Sequence, residues 1–193
     1  DDLSKQAKIY IYFPTIMRKS TMEHIKNNLP NIVSKFKIDG IVISNISQLN
    51  LTEYFDEAID IVGNYTLNVY NSLSVNYLKS LNINTVTLSP ELSKTEINDI
   101  CQFTNVSKEL IVKSHIPIMT MNYCLLGKSN KCTKNCNRNC LGTDSFYLKD
   151  RFSVKYKIVA DNFTNTTTIY DSRINSVDFS NLGIDSIRFD NDT

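Results

Sequence analysis

Four of the five cysteines lie close together in the second half of the chain, and thiolates are soft metal ligands. They are Cys124, Cys132, Cys136 and Cys140, with the spacing C-x7-C-x3-C-x3-C. A set of four sulfur ligands suits Zn²⁺ or an iron-sulfur cluster. The alternative is a loop of free thiols that form a disulfide only on oxidation. Because an odd total of cysteines favours a reducing compartment, we expect a cytoplasmic protein.

A carboxylate and an imidazole are the candidate groups for hydrolysis, which needs a nucleophile with a base or a metal-bound water. Glu91 follows a predicted buried strand and is the candidate catalytic carboxylate. Alternatively, it only stabilises the N-terminus of the next helix. His115 is the candidate base, with a structural hydrogen bond as the alternative. The side chains expected to form a substrate rim at the strand ends are Asn68, Asn71, Ser89 and Tyr123.

The sequence lacks the motifs that are typical of several functional classes. There is no Gly-x-Ser-x-Gly elbow, no His-Glu-x-x-His helix and, with five glycines in all, no glycine-rich phosphate loop. The 21 Lys and Arg residues nearly balance the 20 Asp and Glu residues, so charge gives no general reason for nucleic-acid or membrane binding. The apolar runs are far shorter than the roughly 20 residues of a spanning helix, which predicts a soluble protein.

The functional residues are positioned by strands and helices that alternate along the first two thirds of the chain. β-branched and aromatic runs predict strands at residues 8–13, 40–44, 65–70, 85–88 and 110–112, the last resuming at 116–121. Helical spacing predicts helices at 20–36, 52–59, 74–81 and 93–103. The first and last of these begin with capping boxes at Ser20 and Ser93. Alternating elements imply parallel strands joined by right-handed crossovers.

We therefore predict an α/β protein with a partial (β/α) barrel-like parallel sheet of about five βα units and a small C-terminal antiparallel β appendage. The repeat domain is expected at residues 1–124, a cysteine-rich loop at 125–145 and the appendage at 146–193. The appendage is predicted to contain strands at 152–159, 166–170 and 186–189 and a short helix near 176–182. Since the chain begins with Asp1, we also expect a preceding segment that is missing here.

Five short stretches follow one another in the second half of the predicted repeat domain and beyond it, at residues 67–72 with 86–92, 109–112 with 116–119, 122–127, 148–151 and 168–172. In their order and spacing they resemble the C-terminal part of peptidase family U32, the collagenase-like proteases. The resemblance runs from about residue 7 to residue 190. It implies a barrel-like α/β fold and hydrolysis of peptide bonds. It also implies a four-iron cluster, because several relatives hold one and support hydroxylation of RNA or quinone precursors.

The same resemblance implies roles for the cysteines. It assigns Cys124, Cys132 and Cys136 as cluster ligands, and Asn165 stands where iron-sulfur members place a late cysteine. Cys140 is then the candidate fourth ligand. The chain also has Ser114 and His115 where relatives place glycine and an aromatic residue or arginine.

The sequence is compatible with three functions. The first is a peptidase that acts on peptides or proteins and depends on Glu91. The second is a cysteine-loop metal protein that works with RNA-modification machinery or in cofactor hydroxylation. The third is a non-catalytic interaction domain that associates through exposed strand edges or with a missing N-terminal segment.

Overall fold

The computed structural model describes residues 7–55, 58–129, 146–161 and 163–190, and it shows a mixed α/β protein. The chain divides into two compact units. The first contains the residues up to Val112 together with Val177–Phe189, and the second contains Lys113–Ser176 and the residues from Asp190 onward. These limits differ from the predicted boundaries at residues 124 and 145, because one long strand passes through the division. No described helix is long and apolar enough to cross a membrane.

The first unit is built around parallel strands that follow one another in chain order. They are β1 (Tyr10–Tyr12), β2 (Gly40–Ile43), β3 (Asp60–Gly63), β4 (Thr85–Thr87) and the first part of β5 (Ser107–Met121). The helices between them are α1 (Lys19–Lys35), α2 (Ser72–Ser80) and α3 (Lys94–Phe103), with 3₁₀ segments at Ile46–Tyr54 and Tyr65–Leu67. The α/β class predicted from the alternating pattern is therefore confirmed.

One face of these strands is apolar and forms the core of the first unit. Alternate strand residues point to the same face, and on this face they are isoleucine, leucine and valine. They are buried against apolar residues of the three helices, and the cluster includes Ile41, Ile43, Ile61, Val86, Leu88, Leu110, Leu29, Val75, Leu78, Ile97 and Ile100. The helices therefore cover one face of the strands and leave the opposite face to other side chains.

The two predicted capping boxes have different outcomes. In α3 the Ser93 hydroxyl accepts a hydrogen bond from the Glu96 amide, and the Glu96 carboxylate accepts one from the Ser93 amide, so this box is confirmed. The box at Ser20 is wrong. Helix α1 begins at Lys19 with Arg18 as its N-cap, so Ser20 already lies inside the first turn. A capping hydroxyl must come from the residue before the helix.

Two elements between β2 and α2 also differ from the predictions. Of the helix predicted at 52–59, residues 56 and 57 lie outside the described residues. The described part is not α-helical: the chain forms the 3₁₀ segment Ile46–Tyr54, whose first turn is capped by Asn45 and Gln48, and Phe55 after it is extended. The strand predicted at 65–70 is wrong as well. The strand is β3, at Asp60–Gly63, and the chain after it turns through Asn68, which has a left-handed φ of 58°. Buried pairing with β2 outweighs the β propensity of the later residues.

The second unit contains an antiparallel arrangement. The later part of β5 pairs with β8 (Thr166–Ser176), β8 pairs with β7 (Lys155–Asp161), and β7 pairs with β6 (Phe146–Lys149). A short helix, α4 (Leu125–Ser129), occupies the start of the predicted loop, and residues 130–145 lie outside the described residues.

Two predictions for the C-terminal part are corrected by the structure. No helix forms at 176–182, because Asn181 has a left-handed φ of 64° and the Ser180 amide donates to the Asp178 carboxylate in a turn. The last strand, β9 (Ser186–Phe189), pairs with β5 and belongs to the first unit rather than to the appendage.

Gly40 allows three strands of the first unit to fit together. It pairs with Tyr10 on β1 and Asp60 on β3, and the Tyr10 hydroxyl donates to the Asp60 carboxylate at 2.7 Å. A Cβ on Gly40 would overlap the Tyr10 ring and approach the Asp60 carbonyl oxygen to 2.5 Å. We expect Gly40→Ala to lower the free energy of unfolding by about 1–3 kcal/mol in urea denaturation. Gly183→Ala is the control, since its Cβ would lie 3.2 Å from the Cys101 Cβ. Equal losses in both variants would contradict this account.

Candidate active site on the polar face of the sheet

The strand face opposite the helices carries polar side chains at the carboxyl ends of the strands. The register pairs Thr87 of β4 with Glu109 of β5, and Tyr12 is the last residue of β1. Ser44 and Asn64 directly follow β2 and β3. In α/β proteins the carboxyl ends of parallel strands are the usual place for functional groups. Tyr12, Ser44, Asn64 and Thr87 therefore lie where β1 to β4 end, and Glu109, the third residue of β5, joins them through its pairing with Thr87.

Glu109 is the central carboxylate of this face. Its Oε1 accepts a hydrogen bond from the Thr87 hydroxyl at 2.8 Å and lies 3.3 Å from Nη1 of Arg188. The Glu109 and Arg188 side chains are each only 17% exposed. Such a largely buried ion pair is screened by water and salt less than a surface pair. Both of these contacts are made by Oε1 of Glu109.

Asn64 is the second residue of this face that contacts Arg188. It is fully buried, and its Oδ1 accepts a hydrogen bond from Arg188 Nη2 at 2.9 Å. Its Nδ2 donates to the Tyr12 hydroxyl at 2.7 Å, to the Ser44 hydroxyl at 3.1 Å and to the Thr66 hydroxyl at 3.3 Å. Arginine can only donate, so the amide oxygen must face it. We call Tyr12, Ser44, Asn64, Thr66, Thr87, Glu109 and Arg188 the polar cluster.

Tyr10 adds a second polar contact at the opposite end of the same strands. Burial, together with the hydrogen bond to Asp60, raises the pKa of the Tyr10 hydroxyl to about 12. The hydroxyl therefore stays protonated at neutral pH and acts as a donor. This contact links β1 to β3 and positions the strands that carry Tyr12 and Asn64.

Glu91 lies at the surface rather than in the polar cluster. It is exposed, and its Oε2 accepts a hydrogen bond from the Tyr70 hydroxyl at 2.8 Å. The neighbouring Ser89 is buried, its hydroxyl accepts from the Glu91 amide, and its own amide donates to the Val69 carbonyl. The structure thus brings Val69 and Tyr70 beside Ser89 and Glu91.

The two rim asparagines have local backbone roles. Asn71 is the exposed N-cap of α2, and its Oδ1 accepts from the Ser74 amide at 2.9 Å. Asn68 is exposed and ends the 3₁₀ segment in a left-handed conformation. Both positions can still present polar atoms to a ligand, because neither side chain is buried.

The remaining predicted site residues belong to the second unit or lie outside the description. His115 Nδ1 lies 2.8 Å from the Asp171 carbonyl oxygen, so this nitrogen carries the proton in that contact. Tyr123 is exposed, and the Cys124 Sγ accepts a hydrogen bond from the Gly127 amide at 3.2 Å. Cys132, Cys136 and Cys140 lie outside the described residues. Within the described part of the chain, no group of three or more His, Cys, Asp or Glu side chains could hold a metal ion.

None of the polar cluster residues was predicted as a site residue from the sequence. Glu109 is the first residue of the stretch 109–112, which was named only for its resemblance to peptidase family U32. Arg188 lies 124 positions from Asn64. A strand-end polar residue directly after the buried Ile61-Val62-Gly63 run was a usable indication for Asn64, whereas nothing local indicates Arg188.

The fold and the polar cluster together define a βα-repeat protein whose candidate functional groups lie on the polar face of its parallel strands, near the carboxyl ends of β1 to β4. The chain belongs to peptidase family U32, since the model of that family matches residues 3–166. A solved structure, titled "The Structure of the U32 Peptidase Mk0906", is similar at 15% sequence identity and a TM-score of 0.47. That match covers 58% of this chain and 49% of the other, so about half of that chain is matched. No curated protein matches the chain.

Proposed function

We propose that the chain hydrolyses peptide bonds and that the polar cluster binds the substrate and carries out the reaction. Membership of a peptidase family supports the class of reaction. The observation that carries the proposal is the largely buried Glu109 carboxylate, which lies between the Thr87 hydroxyl, at the end of β4, and the Arg188 guanidinium.

In this proposal Glu109 acts as a general base. Thr87 and Arg188 both contact Oε1, and this fixes the orientation of the carboxylate. The second oxygen then accepts a proton from water as the water oxygen attacks the peptide carbonyl. Negative charge develops on the carbonyl oxygen and is stabilised by the nearby guanidinium. When the C–N bond breaks, Glu109 returns the proton to the leaving amine.

The other candidate residues stay within the proposal as alternatives. Glu91 is the alternative carboxylate, and Asn68, Asn71 and Ser89 would contact the substrate beside it. His115 is the alternative base, and Tyr123 would contact substrate in the second unit. Each alternative predicts that its own variant, rather than Glu109→Gln, loses activity.

The test is hydrolysis of denatured collagen and of internally quenched peptides by the purified chain, followed by mass spectrometry of the products. We expect cleavage at peptide bonds with release of new amino termini. Absence of turnover on every substrate, together with stable association of the chain with itself or with another protein, would favour the interaction domain instead. β1 is the end strand of the described sheet order, so it offers an edge for such pairing.

A second candidate function rests on Cys124. Its sulfur accepts a hydrogen bond from the Gly127 amide, and hydrogen bonds of this kind orient the side chains that ligate a metal. We propose that Cys124, Cys132, Cys136 and Cys140 would hold an iron-sulfur cluster or Zn²⁺. That protein would serve RNA-modification machinery or cofactor hydroxylation.

We expect anaerobically purified protein to contain iron or zinc and the Cys124→Ala variant to lose most of it, measured by elemental analysis and absorbance. Cys101→Ala is the matched control, because Cys101 lies half-buried on α3 and packs against the core. Metal-free protein, or equal retention in both variants, would contradict the metal site.

A further inference from the structure

The segment 177–189, which we call the C-terminal strap, returns to the first unit after the residues of the second. It contains β9, and it supplies Arg188 to the polar cluster. The other six cluster residues all lie between Tyr12 and Glu109. The candidate site is therefore incomplete whenever the strap is undocked.

Charged contacts hold the strap along its length. Lys94 Nζ lies 2.7 Å from the Asp178 carboxylate, Lys108 Nζ lies 3.4 Å from the Asp185 carboxylate, and Arg188 contacts Glu109. The Lys94 and Asp178 side chains are 54% and 64% exposed. The hydrogen bond from Lys94 holds the pKa of Asp178 well below its usual range, so the pair is charged at neutral pH. Exposed pairs of this kind are screened by salt.

Apolar contacts hold the strap only in part. Val177, Leu182 and Ile184 pack against the core as partly buried residues. Phe179, Ile187 and Phe189 remain exposed. β9 pairs with β5, and further backbone hydrogen bonds run from the Val177 amide to the Val112 carbonyl and from the Asp185 amide to the Lys108 carbonyl. Segments with few buried apolar contacts are the ones that open locally while the rest of a protein stays folded.

We propose that the C-terminal strap is a salt-sensitive latch that undocks without unfolding of the parallel strands and thereby disassembles the polar cluster. The regulatory part of this proposal rests on the proposed peptidase function, because docking places Arg188 beside Glu109. Ionic strength would then set the fraction of molecules in which the strap is docked and the polar cluster is complete. Lys108 is buried, so its pair with Asp185 persists at salt concentrations that weaken the Lys94 pair.

The test is amide hydrogen exchange of the full chain at low salt and at about 1 M KCl, where the Debye length is only about 3 Å and exposed charges are strongly screened. We expect salt to speed exchange of the β9 amides while the β2 amides are unchanged. The variant Lys94→Met should speed β9 exchange by about threefold at low salt, in line with the loss of one exposed pair. Lys19→Met is the matched control, since it breaks another exposed pair of the first unit, with Glu23 at 3.9 Å, and should leave β9 unchanged.

Equal exchange responses of β9 and β2 would overturn the latch, because the strap would then open only with global unfolding. Peptide hydrolysis measured on the same samples should fall as β9 exchange rises, and hydrolysis independent of strap opening would overturn its regulatory role. If the wild-type protein hydrolyses no peptide, the proposed function fails while the exchange measurement still decides whether the strap undocks.

Discussion

Replacing Glu109 with glutamine is expected to lower the rate of peptide hydrolysis by about 10²-fold or more. Glutamine keeps the shape of glutamate and can still accept hydrogen bonds from Thr87 and Arg188, but it cannot take a proton from water. General-base catalysis typically contributes about 10²–10⁴-fold, and the variant removes that contribution alone. The measurement is kcat/KM on an internally quenched peptide, with the urea midpoint as a check that the variant is folded.

Glu91→Gln is the matched control for this prediction. It makes the same chemical change on an exposed carboxylate that contacts only Tyr70 among the described side chains. We expect it to retain most of the activity. Loss of hydrolysis in Glu91→Gln with retention in Glu109→Gln would transfer the catalytic role to Glu91 and contradict the polar cluster as the active site.

The second large effect is on stability, and it concerns Asn64. Asn64 is fully buried, so its replacement by alanine creates a small cavity and leaves the buried Ser44 hydroxyl and the largely buried Arg188 guanidinium without this partner. An unsatisfied buried polar group costs about 1–3 kcal/mol, and hydrogen bonds to a charged group lie at the upper end. We expect Asn64→Ala to lower the free energy of unfolding by about 3 kcal/mol in urea denaturation.

Asn76→Ala is the control for Asn64. Asn76 is exposed in α2, where alanine has the higher helix propensity, so its stability should be unchanged or slightly raised. A loss below about 0.5 kcal/mol for Asn64→Ala, the usual range for surface substitutions, would show that the amide is not the structural centre of the cluster.

Local patterns predicted the elements that local interactions determine. The Ser93 capping box and the helix to Phe103 depend on residues three or four positions apart, and both are present. The strand at Gly40–Ile43 was predictable because its side chains are nearly all apolar. The β3 strand was missed because Asp60–Gly63 is short, while the aromatic residues just after it fit a strand equally well from propensity alone.

The candidate site depends on contacts between residues far apart in sequence. Glu109 and Arg188 are separated by 79 positions, and their pairing requires β9 to lie beside β5. From the sequence alone, Glu91 was the candidate because it follows the buried strand β4, whereas Glu109 lies near the start of β5. The register that places Glu109 beside Thr87 depends on the pairing of β4 with β5, which no local pattern encodes.

The account depends most on the polar cluster being the place where peptide binds. The direct measurement is a titration of ¹⁵N-labelled protein with a product peptide, observed at the side-chain amide of Asn64. The account predicts a saturable shift of the Asn64 resonance, because its amide contacts Arg188 and through it Glu109. Shifts confined to Asn68 and Asn71, with the Asn64 resonance unchanged at saturation, would contradict it.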